Sequence, residues 1–110
     1  MTIILASGFD VKRLKITTAW EGRAIAVHRP VAIDPGTGEA IYQRIADCWK
    51  LSHVHTGCGL ALCVGDLSRA VSFAAAWDEA FDQIREQGQT LPEAQLRAWR
   101  QAVEEMGVAA

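Results

Sequence analysis

The sequence predicts an α+β domain, in which a meandering antiparallel β-sheet is followed by an antiparallel pair of α-helices packed on one face of the sheet. Apolar side chains recur with a period of two as far as about Gly65, and with a period of about 3.6 residues beyond it. Turn residues divide the first part into short segments, and residues typical of helix ends bound two segments of the second. Half of the 110 residues are hydrophobic, so residues 1–110 are expected to form a single domain with its own core.

The first two strands are predicted in residues 12–18 and 23–27, where apolar and polar side chains alternate on either side of a turn at 21–22. Pro30 lacks a backbone N–H and cannot donate a hydrogen bond to a neighbouring strand. The second strand is therefore expected to lie at a sheet edge or to be bulged at Pro30, before residues 31–33 continue it.

The strongest turn signal of the chain is Asp-Pro-Gly-Thr-Gly at residues 34–38, because proline presets φ and glycine accepts positive φ. Residues 40–45 are then predicted to return as a strand, with Ile41 and Ile45 on the same face. Asp47 is expected to lie in the loop that follows.

A second hairpin is predicted over residues 49–64, a stretch that holds two of the three histidines and two of the three cysteines. A two-residue turn at Thr56 and Gly57 would put Cys63 on the face opposite the histidines. A three-residue loop would shift the second strand by one residue and bring Cys63 to the histidine face. The two-residue turn gives the pairs His55 with Cys58, His53 with Leu60, Leu51 with Leu62, and Trp49 with Val64.

Two amphipathic helices are predicted after the hairpin. Asp66 is a natural N-cap for the first helix, and Gly88 is expected to follow its last turn. Residues 90–93 read Thr-Leu-Pro-Glu, a capping box with proline in the first turn of the second helix, which Gly107 would close. The predicted apolar stripes are Leu67, Val71, Ala74, Trp77, Phe81 and Ile84 in the first helix, and Leu96, Trp99, Val103 and Met106 in the second.

Charge is distributed unevenly along the chain. Residues 1–65 carry seven Lys or Arg against five Asp or Glu, whereas residues 66–110 carry four against eight. The net charge of −2 gives no indication of general nucleic-acid binding. The basic residues of the first two strands are accompanied by too few aromatic residues for a stacking platform, so direct nucleic-acid binding is not expected.

A cytoplasmic location is expected. The cysteines are odd in number, and the N-terminal segment has neither the basic leader nor the long apolar region of a signal peptide. No segment approaches the roughly 20 apolar residues that span a bilayer. Reduced thiols and no membrane association are therefore predicted.

The second hairpin also holds the residues best suited to chemistry. His53, His55 and Cys58 could share one side of its turn, where they could ligate zinc or form a Cys–His nucleophile pair. The sequence has no Cys-x-x-Cys, no second pair of ligands and no evident orienting carboxylate for such a site. We therefore predict a structural hairpin without metal, cofactor or enzymatic activity, and keep these three residues as candidates.

An acidic pattern gives the clearest indication of function. Asp78, Asp82 and Glu86 recur at four-residue intervals on the predicted first helix, with Glu79 beside them. Like charges at this spacing destabilise a helix by about 0.2–0.5 kcal/mol per pair, so selection for stability alone would more often place lysine there. We expect this face to bind a basic protein surface, with Trp20 as an exposed aromatic anchor. A solvated helix face is the alternative.

The chain also resembles a known group of small proteins. Residues 49–57, Trp-Lys-Leu-Ser-His-Val-His-Thr-Gly, and the Ala-Ala-Ala-Trp of residues 74–77 are similar to a hairpin–helix pattern of small phage, plasmid and mobile-element proteins. This group includes anti-CRISPR proteins, and the resemblance covers less than half of the chain. It implies a short, non-enzymatic protein that occupies a nucleic-acid-binding or assembly surface of a defence complex, and it assigns no functional residue.

The sequence therefore predicts a protein-binding module, a stoichiometric inhibitor of a host nucleic-acid-handling complex of the CRISPR type. One alternative is a zinc-binding or Cys/His catalytic domain built on residues 53–58. The other is a homodimeric structural module.

Overall fold

A computed structural model describes residues 2–7, 12–43, 47–86 and 88–106. Within these residues, eight strands precede two helices, and the central sheet is antiparallel, which confirms the predicted α+β class. The strands are β1 Thr2–Ser7, β2 Lys12–Thr17, β3 Trp20–Glu21, β4 Ile25–His28, β5 Val31–Ile33, β6 Ala40–Tyr42, β7 Cys48–His53 and β8 Gly59–Val64. The helices are α1 Leu67–Asp82 and α2 Glu93–Glu105.

The strands form a four-stranded sheet of order β3-β4-β7-β8 and two separate hairpins, β1-β2 and β5-β6. Because β4 pairs directly with β7, the chain leaves the sheet after β4, forms the β5-β6 hairpin, and re-enters the sheet beside β4 as β7. The sequence pattern did not indicate this division, and it did not predict β1, which pairs antiparallel with β2.

The expectation that the strand before Pro30 lies at a sheet edge is wrong. The strand β4 ends at His28, before the proline, and lies between β3 and β7 inside the sheet. Pro30 therefore lies between β4 and β5, where its missing N–H costs the sheet no hydrogen bond. The predicted strand 40–45 is observed as β6, and its last two residues lie outside the described part of the chain.

Strand β4 is buried on both faces of the sheet. Ile25 and Val27 face the cluster that holds the helix residues, and Ala26 packs with Ile16 on the opposite face. Val31 and Val54 cover the same region as Ile16. Both sides of this strand are therefore core, and the sequence expectation of one covered face applies to only part of the sheet.

The hairpin of β7 and β8 has a different register from the two-residue turn predicted. Trp49 pairs with Cys63 and Leu51 with Ala61, and an irregularity follows Leu51. This shift by one residue places Cys63 on the same face as Leu51, where it is 2% exposed. The connecting loop at 54–58 is longer than two residues, and its Gly57 has a φ of 73°.

Helix α1 begins as predicted and ends early. The Asp66 carboxylate accepts a hydrogen bond from the backbone N–H of Arg69 at 2.9 Å, which confirms the N-cap. The helix ends at Asp82 instead of continuing to Gly88. Around its last turn the Phe81 carbonyl accepts from the backbone N–H of Ile84 and lies 2.9 Å from a His53 ring nitrogen.

Helix α2 begins without the predicted capping box. Pro92 is the N-cap residue and makes no side-chain capping bond, and Glu93 instead pairs with Arg97 at 3.0 Å. The predicted apolar side of α2 is confirmed, with Trp99 and Val103 buried. The Trp99 ring packs against the rings of three α1 residues, Phe73, Trp77 and Phe81. Neither helix of the described chain is long and apolar enough to cross a bilayer.

The hairpin register makes a prediction about thiol reactivity. Cys58 is exposed, whereas Cys48 and Cys63 are buried, and burial raises the pKa of the Cys63 thiol. A chromogenic disulfide reagent should therefore modify one thiol rapidly in the native protein and all three in denaturant. Cys58→Ser should remove the rapid phase. A second rapid thiol that depends on Cys63 would contradict the observed register.

Candidate functional site

The acidic residues predicted to form one ridge have three different environments. The carboxylate of Asp78 is directed at the turn before β4. Its Oδ2 accepts from the backbone N–H of Arg23 at 3.0 Å, and its Oδ1 accepts from Ala24 at 2.9 Å and Ile25 at 2.8 Å. Consecutive backbone N–H groups that converge in this way form a concave anion site. We call this contact the Asp78 clamp.

The clamp depends on a glycine. A Cβ atom added to Gly22 would lie 2.4 Å from Asp78 Oδ1, far inside van der Waals contact. The turn itself is closed by a hydrogen bond from the Gly22 N–H to the Ile25 carbonyl at 2.8 Å. The Asp78 carboxylate is thus engaged within the chain, which the four-residue acidic spacing did not indicate.

Asp82 lies at the end of α1 and is also held within the chain. Its Oδ1 accepts from His55 Nε2 at 2.9 Å and from the Arg85 guanidinium at 3.2 Å. The hydrogen bond from His55 lowers the pKa of the Asp82 carboxyl, and the charge of Arg85 adds to this effect. The side chain stays 25% exposed, so part of the carboxylate faces solvent.

Glu79 and Glu86 are exposed, but they do not continue a helical ridge. Glu86 lies in the connection after α1, because the helix ends at Asp82. The predicted i, i+4, i+8 row is therefore wrong as a helix face. We use the name acidic surface for Glu79, Asp82 and Glu86, which remain at the end of α1 and in the connection after it.

Trp20 is not an exposed anchor. It is half-buried, pairs with Val27 across β3 and β4, and packs against the core that the helices cover. Trp20 was expected to be exposed because it precedes a turn. It is covered because the strand beside it, β4, is central in the sheet and buried on both faces.

His53 is a buried histidine whose two ring nitrogens both have partners. Nε2 lies 2.9 Å from the Phe81 carbonyl, which can only accept, so Nε2 carries the proton. Nδ1 then accepts from the Thr56 hydroxyl at 2.8 Å. Burial lowers the pKa of His53 below its usual 6.5, so the ring is neutral at neutral pH.

The candidate metal or nucleophile site is not assembled. Within the described residues, no three His, Cys, Asp or Glu side chains lie close enough to hold a metal ion. His55 stands edge-on to His53, with ring centroids 5.3 Å apart, and bonds Asp82. The expected pairing of Cys58 with His55 belongs to a register that the hairpin does not adopt.

A cleft of about 250 Å³ lies between the hairpin loop and the connection that joins the helices. Its walls are mainly apolar, and Glu86 contributes to its lining together with the exposed Cys58. No sequence pattern indicates this cleft, because the residues that line it come from the β7-β8 hairpin, the end of α1, the connection between the helices and α2. Six apolar residues line the cleft: Leu60, Phe81, Ile84, Leu91, Leu96 and Trp99.

Comparison with known proteins returns no match, whether with protein-family models, with curated proteins or with solved structures.

The Asp78 clamp should contribute strongly to stability. Asp78→Ala leaves the N–H groups of Ala24 and Ile25 without their carboxylate partner in a partly buried turn, so we expect a loss of about 3 kcal/mol in the free energy of unfolding. Glu79→Ala, one residue away and exposed, is the matched control and should change it by less than about 0.5 kcal/mol. Urea denaturation of both variants measures the difference, and equal midpoints would refute the clamp.

Two buried histidines make stability depend on pH. Burial lowers the folded-state pKa of both His28 and His53 below 6.5, so the unfolded chain takes up protons first as the pH falls. The stability that the two neutral histidines contribute is fully present above pH 6.5, the pKa of an unfolded histidine. It is lost as the pH falls from 6.5 through the lower pKa values of the folded state.

We therefore expect a lower urea midpoint at about pH 5 than at about pH 8. The difference should be smaller in His53→Gln, which removes one of the two groups. Midpoints that do not change over this range would show that neither histidine is held neutral by the fold.

Proposed function

We propose that the protein is a stoichiometric protein-binding module that holds an apolar side chain of its partner in the cleft and basic residues of the partner against the acidic surface. The observation that carries this proposal is the contiguity of the two features. Glu86 lines the apolar cleft, and so does His53. The His55 ring packs against His53 and donates a hydrogen bond to Asp82, so Asp82 lies close to the same cleft.

The size of the cleft favours a protein partner. Its volume of about 250 Å³ is below the range of pockets that enclose whole small molecules, which is roughly 300–1,000 Å³. A single aliphatic or aromatic side chain fits such a space. Interfaces commonly anchor one large side chain in a pocket and surround it with a polar rim, which here would be acidic.

The partner proposed has a basic surface, as expected of a complex that handles nucleic acid. Carboxylates on the rim mainly raise the association rate and the specificity of such an encounter. The narrower expectation of a CRISPR-type defence complex is supported by the sequence resemblance alone. We place the protein in the cytoplasm, in keeping with its three free thiols.

Charge reversal of Glu79 and Glu86 tests the proposal without disturbing the fold, because both side chains are exposed. The double variant Glu79→Lys, Glu86→Lys should capture its partner from a native-host lysate about tenfold less well or worse, with the difference shrinking at high salt. Asp78 and Asp82 are unsuitable for this experiment, because their reversal would break contacts within the chain.

The matched control is Glu104→Lys, Glu105→Lys, which makes the same change of charge at exposed positions of α2. It should retain capture. A second arm attaches a bulky maleimide to Cys58 at the cleft, which should block capture by filling the space. A partner that binds the reversed and blocked proteins as well as the unmodified one would overturn the proposal.

A further inference from the structure

A buried serine–histidine pair lies on the sheet face opposite the helices. Ser52 Oγ on β7 is 2.8 Å from His28 Nε2 on β4, and both side chains are 1% exposed. The two residues are 24 positions apart in sequence. The pairing of Ala26 with Ser52 across the two strands makes His28 a diagonal neighbour of Ser52 on the same face.

The proton positions in this pair follow from its third member. His28 Nδ1 is 2.6 Å from the backbone carbonyl of Arg29, and a carbonyl can only accept. Nδ1 therefore carries the proton, and Nε2 of the neutral ring holds a lone pair. The Ser52 hydroxyl must then donate to Nε2, which is the arrangement of a nucleophile beside its general base. Burial lowers the pKa of His28, and the charge of Lys50 adds to this, so the base is free to accept a proton near neutral pH.

A cleft of about 370 Å³ opens onto the pair. His28 and Ser52 contribute to its lining together with Lys50 and Gly59. A Cβ atom added to Gly59 would lie 2.9 Å from Lys50 Nζ, so the ammonium group packs against this glycine at the wall of the cleft. A positive charge in that position suits an oxyanion that develops beside Ser52.

A second histidine–hydroxyl pair lies on the helix side of the sheet. His53 and Thr56 repeat the arrangement of carbonyl, histidine and hydroxyl. The Thr56 hydroxyl, however, also accepts from the backbone N–H of Cys58 at 3.3 Å, and the described residues that line its cleft include no lysine or arginine. Ser52 is a primary alcohol with a lysine in the same cleft.

We propose that Ser52 is an activated nucleophile, with His28 as its general base, in a site that accepts a small activated ester. Oγ attacks the ester carbonyl carbon as its proton passes to His28 Nε2, and the resulting oxyanion lies in the cleft of Lys50. The carbon–oxygen bond of the leaving group then breaks, and His28 returns the proton to the departing alcohol. Water, activated by the same histidine, releases the carboxylic acid and regenerates the serine.

This site departs from the expectation of a protein without enzymatic activity. The sequence could not show it, because only the register of β4 and β7 brings the two side chains together. Because both side chains are almost fully covered, only a small electrophile can reach Oγ. The pair lies on the sheet face opposite the helices, whereas the proposed partner surface involves the C-terminal end of α1 and the cleft on the helix side of the sheet.

The test uses the full chain with a small alkyl fluorophosphonate, which phosphonylates activated serines, and with p-nitrophenyl acetate. The expected result is one adduct on Ser52, mapped by tandem mass spectrometry, and a release of nitrophenolate that Ser52→Ala abolishes. His28→Gln should slow both reactions at least about 100-fold. The labelling rate of the wild-type protein should fall on acidification, with a midpoint below 6.5.

Thr56→Val is the matched control, since it removes the hydroxyl of the second pair, and it should react at the wild-type rate. Circular dichroism establishes that Ser52→Ala is folded. The decisive measurement is on the folded wild-type protein and does not depend on how the His28 variant folds. An unlabelled wild-type protein, an adduct on another residue, or unchanged reactivity of Ser52→Ala would overturn the proposal.

Discussion

Three backbone N–H groups, in the turn before β4 and at its first residue, converge on the carboxylate of Asp78, and the placement of the helices on the sheet follows from that contact. One turn further along α1, the Phe81 carbonyl bonds His53 of β7. Two polar contacts with two different strands thus fix both the position and the rotation of the helix. Apolar burial supplies most of the driving force, but it is non-directional and would tolerate a sliding helix. The polar contacts select one arrangement, and Trp99 then brings α2 onto the fixed surface of α1.

The sheet uses one polar device on both of its faces. In each case a buried neutral histidine donates to a backbone carbonyl and accepts from a hydroxyl, at His28 with Ser52 and at His53 with Thr56. Each ring nitrogen of both histidines is satisfied, so burial carries no unpaired donor or acceptor there. A shift of the strands by one residue would separate His28 from Ser52 and leave both unpaired. These bonds therefore help to specify the register of β4 and β7.

The sequence was sufficient to predict the class of fold, the N-cap at Asp66 and the apolar side of α2, whereas the apolar side of α1 includes Ala70 in place of the predicted Val71. It failed where a distant backbone group decides the outcome. Asp78 has the spacing of a solvent-facing carboxylate, yet its partners are N–H groups 53 to 55 residues earlier. Glu86 appeared to extend the row because nothing local shows that α1 ends at Asp82. The irregularity after Leu51 shifted the hairpin register, and a single irregularity is enough to exchange the two faces of every later residue.

The β5-β6 hairpin has a consequence for how this architecture can vary. It begins after β4 and ends before β7, which are neighbours in the sheet, so the chain departs and returns at adjacent positions. The tip at 34–38 is exposed apart from its first residue and is closed by its own hydrogen bonds, from the Gly38 N–H to the Asp34 carbonyl and from the Gly36 N–H to the Asp34 carboxylate. Segments of different length can therefore be accommodated there without any change in strand order. The tip is therefore a natural insertion point. Evolution or protein engineering can add a recognition element there while α1, held by Asp78, and the sheet keep their positions.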